Sequence, residues 1–122
     1  MPMNQPKYWR AMFRHIPNSP NDFSIGAHGN LNGVVNKLGR TLTPQQLLSI
    51  MYDAGYDDEQ PVKIYACDTG KGGTDSFAQK LSNLIGQPVT APTNLLLIGG
   101  NGGHSIANGG AWVTFTPQSR GD

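Results

Sequence analysis

Short apolar runs alternate with two capped helical segments in the middle of this chain, and this alternation constrains the fold more than any other feature. The runs lie at 23–27, 62–66 and 89–91, with helical segments between them at 43–55 and 74–86. Strand, helix, strand, helix, strand is the order of parallel βαβ units, and runs that are apolar throughout suit a sheet covered on both faces. The pattern predicts a small α/β three-layer sandwich with a mostly parallel sheet.

The first helical segment carries signals at both ends. Thr43 is the predicted N-cap, Pro44 stands at the first helical position, and Gln46 completes a capping box. Gly55 follows the last apolar position and predicts the stop. This helix should therefore span about 44–54 and present one apolar face to the sheet.

The second helical segment should begin after Thr74 or Asp75 and end at Gly86. Further apolar runs at 95–98 and 112–115 predict two more strands. The opening stretch "KYWRAMFRHI" fits either a strand or a helix.

Length, charge and cysteine content exclude several classes of protein. With 122 residues the chain predicts a single domain over 1–122, with a flexible tail at 118–122. Charged residues make up 14% and the formal charge is +1, which argues against nucleic acid or an anionic membrane as main partner. No membrane span and no signal peptide are predicted. One cysteine cannot form an internal disulfide, and the absence of CxxC or HxxxH spacing predicts no metal and no cofactor.

The only cysteine and one of three histidines each stand directly after a strand-like run. Cys67 follows "VKIYA" and His28 follows "FSIGA". The carboxyl ends of neighbouring parallel strands meet at one edge of a sheet, so the imidazole and the thiol are expected close together. An imidazole that takes the thiol proton produces a nucleophilic thiolate. The alternative is a Cys67 that is an inert core residue, with His28 as an ordinary polar group.

The chemistry also needs donors for an oxyanion, and the backbone amides of Gly29 and Cys67 are the candidates. The stretch "TGKGGTDS" leads from Cys67 to a helix start, and its free amides are expected to favour the thiolate. Asp68 is a candidate to orient the imidazole or to bind a basic substrate side chain, unless it only caps the turn with Thr69. His104 is a candidate substrate-binding residue, or a loop histidine, in the glycine tract 99–110. We predict this tract to be a mobile loop or hairpin that serves as a flexible flap beside the site.

The two blocks "FSIGAHG" and "VKIYAC" resemble the signature of the caspase-like cysteine peptidases of clan CD, a hydrophobic block before His-Gly and another before Ala-Cys. The resemblance implies a caspase-like fold with His28 as base and Cys67 as nucleophile. It also implies an oxyanion hole formed by the amides of Gly29 and Cys67, and a protein or peptide substrate. Caspases proper have a longer chain, with substrate loops that cannot be matched to positions of this sequence.

Residues 20 to 117, with "HGN", "CDTG", "FAQKL", "APT" and "GGAWVTFTP", resemble C-terminal effector modules of bacterial polymorphic toxins of the Rhs or contact-dependent kind. That resemblance implies secretion within a larger toxin, delivery to the cytoplasm of a competitor cell and neutralisation by a cognate immunity protein. Two other classes stay open. One is a different Cys/His toxin enzyme, such as a deamidase, an acyltransferase or a nucleotide-directed enzyme, and the other is a non-catalytic binding module.

Overall fold

A central sheet of five strands organises the chain in the computed structural model. The structure describes residues 7–10, 22–30, 32–36, 38–94, 96–98, 104–107 and 109–118, with the backbone alone for 7–10, 96–98 and 104. The sheet has the order β1-β2-β5-β6-β9, in which the first four strands run parallel and β9 runs antiparallel to β6. Its strands are β1 (Lys7–Arg10), β2 (Phe23–Gly26), β5 (Val62–Tyr65), β6 (Val89–Pro92) and β9 (Trp112–Phe115).

The predicted parallel sheet is confirmed, and the ambiguous opening stretch contributes strand β1. Residues 11–16 of that stretch lie outside the described residues. The four parallel strands follow one another in chain order, so the sheet grows in one direction. Right-handed crossovers in such a sheet bring successive helices to the same face.

The two helices do lie on one face, in contact with each other. They are α1 (Pro44–Asp53) and α2 (Phe77–Ile85). Leu47 and Met51 of α1 and Leu81 of α2 are buried in the same core as Ile25 and Ile64 of the sheet. Within the described residues the helices therefore form a single layer, and the third layer of the expected sandwich is not among them.

Helix α1 begins and ends as its sequence predicts. The Thr43 side chain accepts the Gln46 amide, and the Gln46 side chain accepts the Thr43 amide, so the capping box is complete. Ala54 is the C-cap and Gly55, with φ of 101°, follows it in the left-handed region. The helix start is thus fixed by side chains within one turn of it.

The predicted start of α2 is wrong by one or two residues. Ser76 is the N-cap, and its hydroxyl accepts the Gln79 amide at 3.1 Å. The segment Gly73–Asp75, which contains both predicted caps, forms a 3-10 turn instead. Ser76 meets the same chemical requirement as Thr74 or Asp75, and the preceding turn decides which hydroxyl reaches the helix. Gly86 ends the helix in the left-handed conformation, as predicted.

Two hairpins stand outside the main sheet. The first pairs β3 (His28–Asn30) with β4 (Gly33–Val35), and the second pairs β7 (Leu96–Ile98) with β8 (His104–Ile106), both antiparallel. The strand β7 is the predicted one at 95–98, and β8 agrees with the hairpin considered for the glycine tract, whereas β3 and β4 are not expected from the sequence. Part of the glycine tract is therefore strand, and residues 99–103 and 108 of it lie outside the described residues.

The sheet face opposite the helices carries an aromatic pair. Tyr65 is buried there, and its ring meets that of Trp112 edge to face at 5.3 Å between centroids. The Lys63 ammonium lies 4.5 Å from the centroid of the Trp112 indole, a cation–π distance. Phe115, which like Trp112 belongs to β9, is buried in the core on the helix side of the sheet. Strand β9 therefore contributes to the packing on both faces.

The chain beyond β9 is hydrogen-bonded to α2 at two described residues. The Gln118 amide donates to the Asn83 side chain at 2.8 Å, and the Thr116 carbonyl accepts the Gln79 side chain at 2.7 Å. Gln118 is thus tied to α2, and residues 119–122 of the predicted tail lie outside the described residues.

Candidate functional site

The two strands that precede His28 and Cys67 are direct neighbours. Strands β2 and β5 pair in parallel with Gly26 opposite Tyr65, and the Ala27 amide extends the ladder by donating to the Tyr65 carbonyl at 3.2 Å. His28 and Cys67 consequently leave the sheet at the same edge, next to each other. This is the adjacency that the sequence predicts from a βαβ crossover.

Gly29 brings the backbone after β2 into close contact with the backbone after β5. A Cβ atom built on Gly29 would overlap the Cys67 carbonyl oxygen and would stand 2.9 Å from Ala66 Cβ and 3.0 Å from Cys67 N. These separations are shorter than van der Waals contact, so only glycine fits at this position without movement of the Ala66–Cys67 segment. The His-Gly and Ala-Cys pairs of the sequence therefore pack directly against each other.

Both candidate side chains lie at the surface of this edge. His28 is exposed and Cys67, which is not in a disulfide, is half-buried. The burial of Ala66 and Ile64 just before Cys67 shows where the core ends along β5. Cys67 is thus not a fully buried core residue.

A tight turn fixes the backbone that follows Cys67. Thr69 is fully buried, and its hydroxyl donates to the Ala66 carbonyl at 3.0 Å. The Thr69 carbonyl accepts the Ala78 amide at 3.0 Å, and the Gly70 amide donates to the Pro92 carbonyl at 2.8 Å. The turn is therefore bonded to its own strand, to the start of α2 and to the end of β6.

Several of the amides between Cys67 and α2 that were expected to be free are hydrogen-bonded, and support of the thiolate by the rest of this stretch stays a prediction. The Lys71 amide donates to the Asp68 carbonyl, the Asp75 amide to Gly72 and the Ser76 amide to Gly73. The first-turn amides of α2 are also used, because Thr69 and Ser76 supply acceptors for them. Amides paired with nearby acceptors have little unsatisfied donor character to offer a thiolate.

Asp68 lies in the same turn with an unusual backbone conformation. Its φ is 62°, in the left-handed region that few residues other than glycine, asparagine and aspartate adopt. Its amide donates to the Asn94 carbonyl at 3.2 Å, and its carbonyl accepts the Lys71 amide. Asp68 is thus held in the turn by its backbone, and for its carboxylate both the capping of the turn and a role toward the imidazole or a substrate stay predictions.

His104 belongs to the hairpin that begins beside this turn. It opens strand β8, with its Cα opposite that of Ile98, and its side chain lies outside the described structure. Asn94, whose carbonyl accepts the Asp68 amide, lies two residues before the start of β7. The hairpin therefore begins next to the Cys67 turn, and whether the His104 imidazole serves the site stays a prediction.

Thr69 and Gly70 are the residues whose structural importance the sequence pattern understates. Thr69 appears in the sequence only as a turn-capping hydroxyl, yet it anchors the peptide before Cys67. A Cβ on Gly70 would stand 2.8 Å from the Ala91 carbonyl oxygen, so this glycine allows the turn to lie against β6. The signal present in the sequence is the uninterrupted order Cys-Asp-Thr-Gly after a strand.

Two surface depressions lie away from this edge, around the N-terminus of α1 and the exposed side of α2. Their volumes are about 370 and 400 Å³, and both are lined by Pro44 and Lys80. Neither is lined by His28 or Cys67. Among the described residues, no three histidine, cysteine or acidic residues converge as a metal site requires, and no helix has the length and apolar character to cross a membrane.

Comparison with known proteins adds one match. A family model with the description "Domain of unknown function (DUF8616)" matches residues 1–106, a stretch that includes both strand ends and the Cys67 turn. No curated protein and no solved structure matches the chain.

Proposed function

The chain belongs to the family described as a domain of unknown function, DUF8616, and we propose that it is a cysteine-dependent hydrolase, a caspase-like endopeptidase that acts as an antibacterial toxin domain. One observation carries the proposal. The His28–Gly29 backbone packs against Ala66–Cys67 at the carboxyl edge of two paired parallel strands. A base and a nucleophile that follow neighbouring strands, with a glycine that brings the two backbones together, support the proposal of a thiol peptidase.

The proposed reaction uses only groups of this chain and water. His28 takes the proton of the Cys67 thiol, and the thiolate attacks the carbonyl carbon of a peptide bond. The resulting oxyanion accepts hydrogen bonds from the Gly29 and Cys67 amides. Collapse of this intermediate breaks the C–N bond, His28 returns the proton to the leaving amine, and water then hydrolyses the thioester.

The exposure of both residues supports this assignment over the inert core alternative. A structural cysteine is normally walled in by apolar side chains, whereas Cys67 is half-buried and His28 exposed. The toxin role rests on the resemblance to effector modules, and it implies a cognate immunity protein as partner. Delivery within a larger secreted toxin is part of the same proposal.

The proposal is tested by expressing the domain in a bacterial cytoplasm and by profiling new N-termini in a lysate treated with the purified domain. We expect growth arrest and new termini with the natural chain, and neither with Cys67→Ala or His28→Ala. Ser49→Ala, which changes an exposed residue of α1, is the matched control and should behave like the natural chain. Circular dichroism and melting curves establish that each variant is folded.

Three results would overturn the assignment in different ways. A soluble, folded Cys67→Ala variant that retains full toxicity would remove the thiol from the mechanism. Toxicity that requires Cys67 but yields no new N-termini would exclude a peptidase and favour a deamidase, an acyltransferase or a nucleotide-directed enzyme. Slow alkylation of Cys67 by iodoacetamide at pH 6, no faster than in the urea-unfolded chain, would argue for a non-catalytic module.

A further inference from the structure

We infer that Thr69 is a positioning residue that orients the Cys67 amide as an oxyanion donor, an inference that rests on the proposed peptidase function. Thr69 has no solvent exposure, and its hydroxyl donates to the Ala66 carbonyl at 3.0 Å. The acceptor belongs to the peptide bond that joins Ala66 to Cys67. The buried hydroxyl therefore acts on the same peptide plane that carries the Cys67 N–H.

The direction of that N–H follows from the geometry of the peptide group. A peptide bond is planar, and in its trans form the C=O and the N–H point in opposite directions; the described chain has no cis peptide bond. When Thr69 holds the Ala66 carbonyl toward the interior, the Cys67 N–H is turned away from it. Without the hydroxyl this plane loses the bond that fixes its carbonyl, and a plane that rotates even partly misdirects the N–H that faces a developing oxyanion.

Thr69 can hold the plane because its own position is fixed by other elements. Its carbonyl accepts the Ala78 amide at the start of α2, and the next amide, that of Gly70, donates to the Pro92 carbonyl of β6. The Asp68 amide between Thr69 and Cys67 donates to Asn94. The hydroxyl is therefore presented by a turn bonded to three parts of the fold, which is the support that an oxyanion donor needs for a constant orientation.

Threonine, serine and valine separate this role from simple packing. Thr69→Val keeps the shape of the side chain and removes the hydroxyl, and Thr69→Ser keeps the hydroxyl and removes a methyl group. We expect Thr69→Val to lower kcat by roughly ten- to a hundredfold with little change in KM, because a misdirected donor is lost from the transition state. We expect Thr69→Ser to retain kcat within roughly threefold, since the hydrogen bond is kept.

The experiment compares two reactions of the same thiol. Peptide hydrolysis forms an oxyanion, whereas alkylation by iodoacetamide attacks an sp³ carbon and forms none. Thr69→Val should therefore turn over proteome-derived peptides more slowly. It should also bind a peptide aldehyde with the best-cleaved sequence more weakly. Its alkylation rate and the pH dependence of that rate should match the natural chain. Thr90→Val is the matched control, because its hydroxyl bonds to Thr114 in the sheet and not to the Cys67 turn.

The outcomes separate this inference from the proposed function. Turnover and aldehyde affinity of Thr69→Val equal to those of Thr90→Val would overturn the positioning role while leaving the peptidase intact. Equal losses of turnover and of alkylation rate would also overturn it, since they would indicate a general disturbance of the thiol. If Thr69→Val does not fold, Thr69→Ala and Thr69→Ser are compared instead. Both lack the methyl group of threonine and differ only in the hydroxyl. A natural chain that cleaves no peptide would instead refute the proposed function itself.

Discussion

Replacement of Gly29 by alanine tests the contact between the two strand ends most directly. The new Cβ would overlap the Cys67 carbonyl oxygen and stand 2.9 Å from Ala66 Cβ. Carbon atoms in contact prefer a separation of about 3.5–4.0 Å, so the segment after β2 must move away from the segment after β5 by roughly 1 Å. No rotamer can avoid this clash, because a Cβ has a fixed position on the backbone.

The displacement should reduce both stability and activity, by different mechanisms. Overpacking of a tight site costs about 1–3 kcal/mol of unfolding free energy. A displacement of about 1 Å between base and nucleophile can cost roughly a hundredfold in rate. Urea denaturation measures the first effect, and turnover on proteome-derived peptides measures the second.

Gly39→Ala is the control that separates the two effects. Gly39 has a φ of 81°, and a methyl group added there would meet no atom within 4 Å, so alanine is strained at this position without touching the site. The left-handed conformation costs alanine about 1–2 kcal/mol, a loss comparable to that expected for Gly29→Ala. If the two variants lose similar stability and similar activity, the contact between Gly29 and Cys67 has no special role and the reasoning is refuted.

Three further predictions concern the turn, the second helix and alkaline pH. Ser76→Ala should lower the unfolding free energy by about 1 kcal/mol in urea titrations and Thr74→Ala by much less, because Ser76 is the observed N-cap; equal losses would contradict this. Asp68→Gly should retain stability, since glycine adopts a φ of 62° without strain. A loss of turnover in this folded variant would assign a catalytic or substrate-binding role to the carboxylate. Unchanged turnover would leave Asp68 with a role in the turn alone. Burial, followed by the charge of Asp58, raises the pKa of Tyr56 above its ordinary value of 10.0. Because the pKa of Tyr56 is higher in the folded than in the unfolded chain, the folded state is favoured fully as long as the pH lies below the unfolded pKa. As the pH rises above that value, the unfolding free energy falls by up to about 1.4 kcal/mol per pH unit. In Tyr56→Phe, the unfolding free energy measured by urea titration should fall less steeply above pH 10. An unchanged slope would show that Tyr56 does not cause the loss of stability at alkaline pH.

Local patterns were sufficient to predict most of the regular elements. The ends of α1 follow from Thr43, Gln46 and Gly55, because capping depends on side chains within one turn of the helix end. The apolar runs predict four of the five strands of the main sheet, since burial on both faces leaves a continuous apolar stretch. The positions of His28 and Cys67 at the ends of two such runs are likewise visible in the sequence.

The contacts between these elements depended on the tertiary structure. The sequence does not specify that both helices share one face, because that follows from the order of the strands in the sheet. The hairpins β3–β4 and β7–β8 are short and rich in glycine and asparagine, so their pairing has little local signal. The start of α2 at Ser76 was decided by the 3-10 turn before it.

The candidate site also combines features that the sequence predicts with contacts that only the tertiary structure determines. Its chemical groups are a histidine, a cysteine and a glycine that can be named from the sequence, because side-chain chemistry belongs to single residues. The close approach of Gly29 to Cys67 and the bond from Thr69 to Ala66 join residues on different segments or within a folded turn. Such contacts exist only once β2 and β5 pair in register, since distances of a few ångström between chain segments are set by packing of the whole domain.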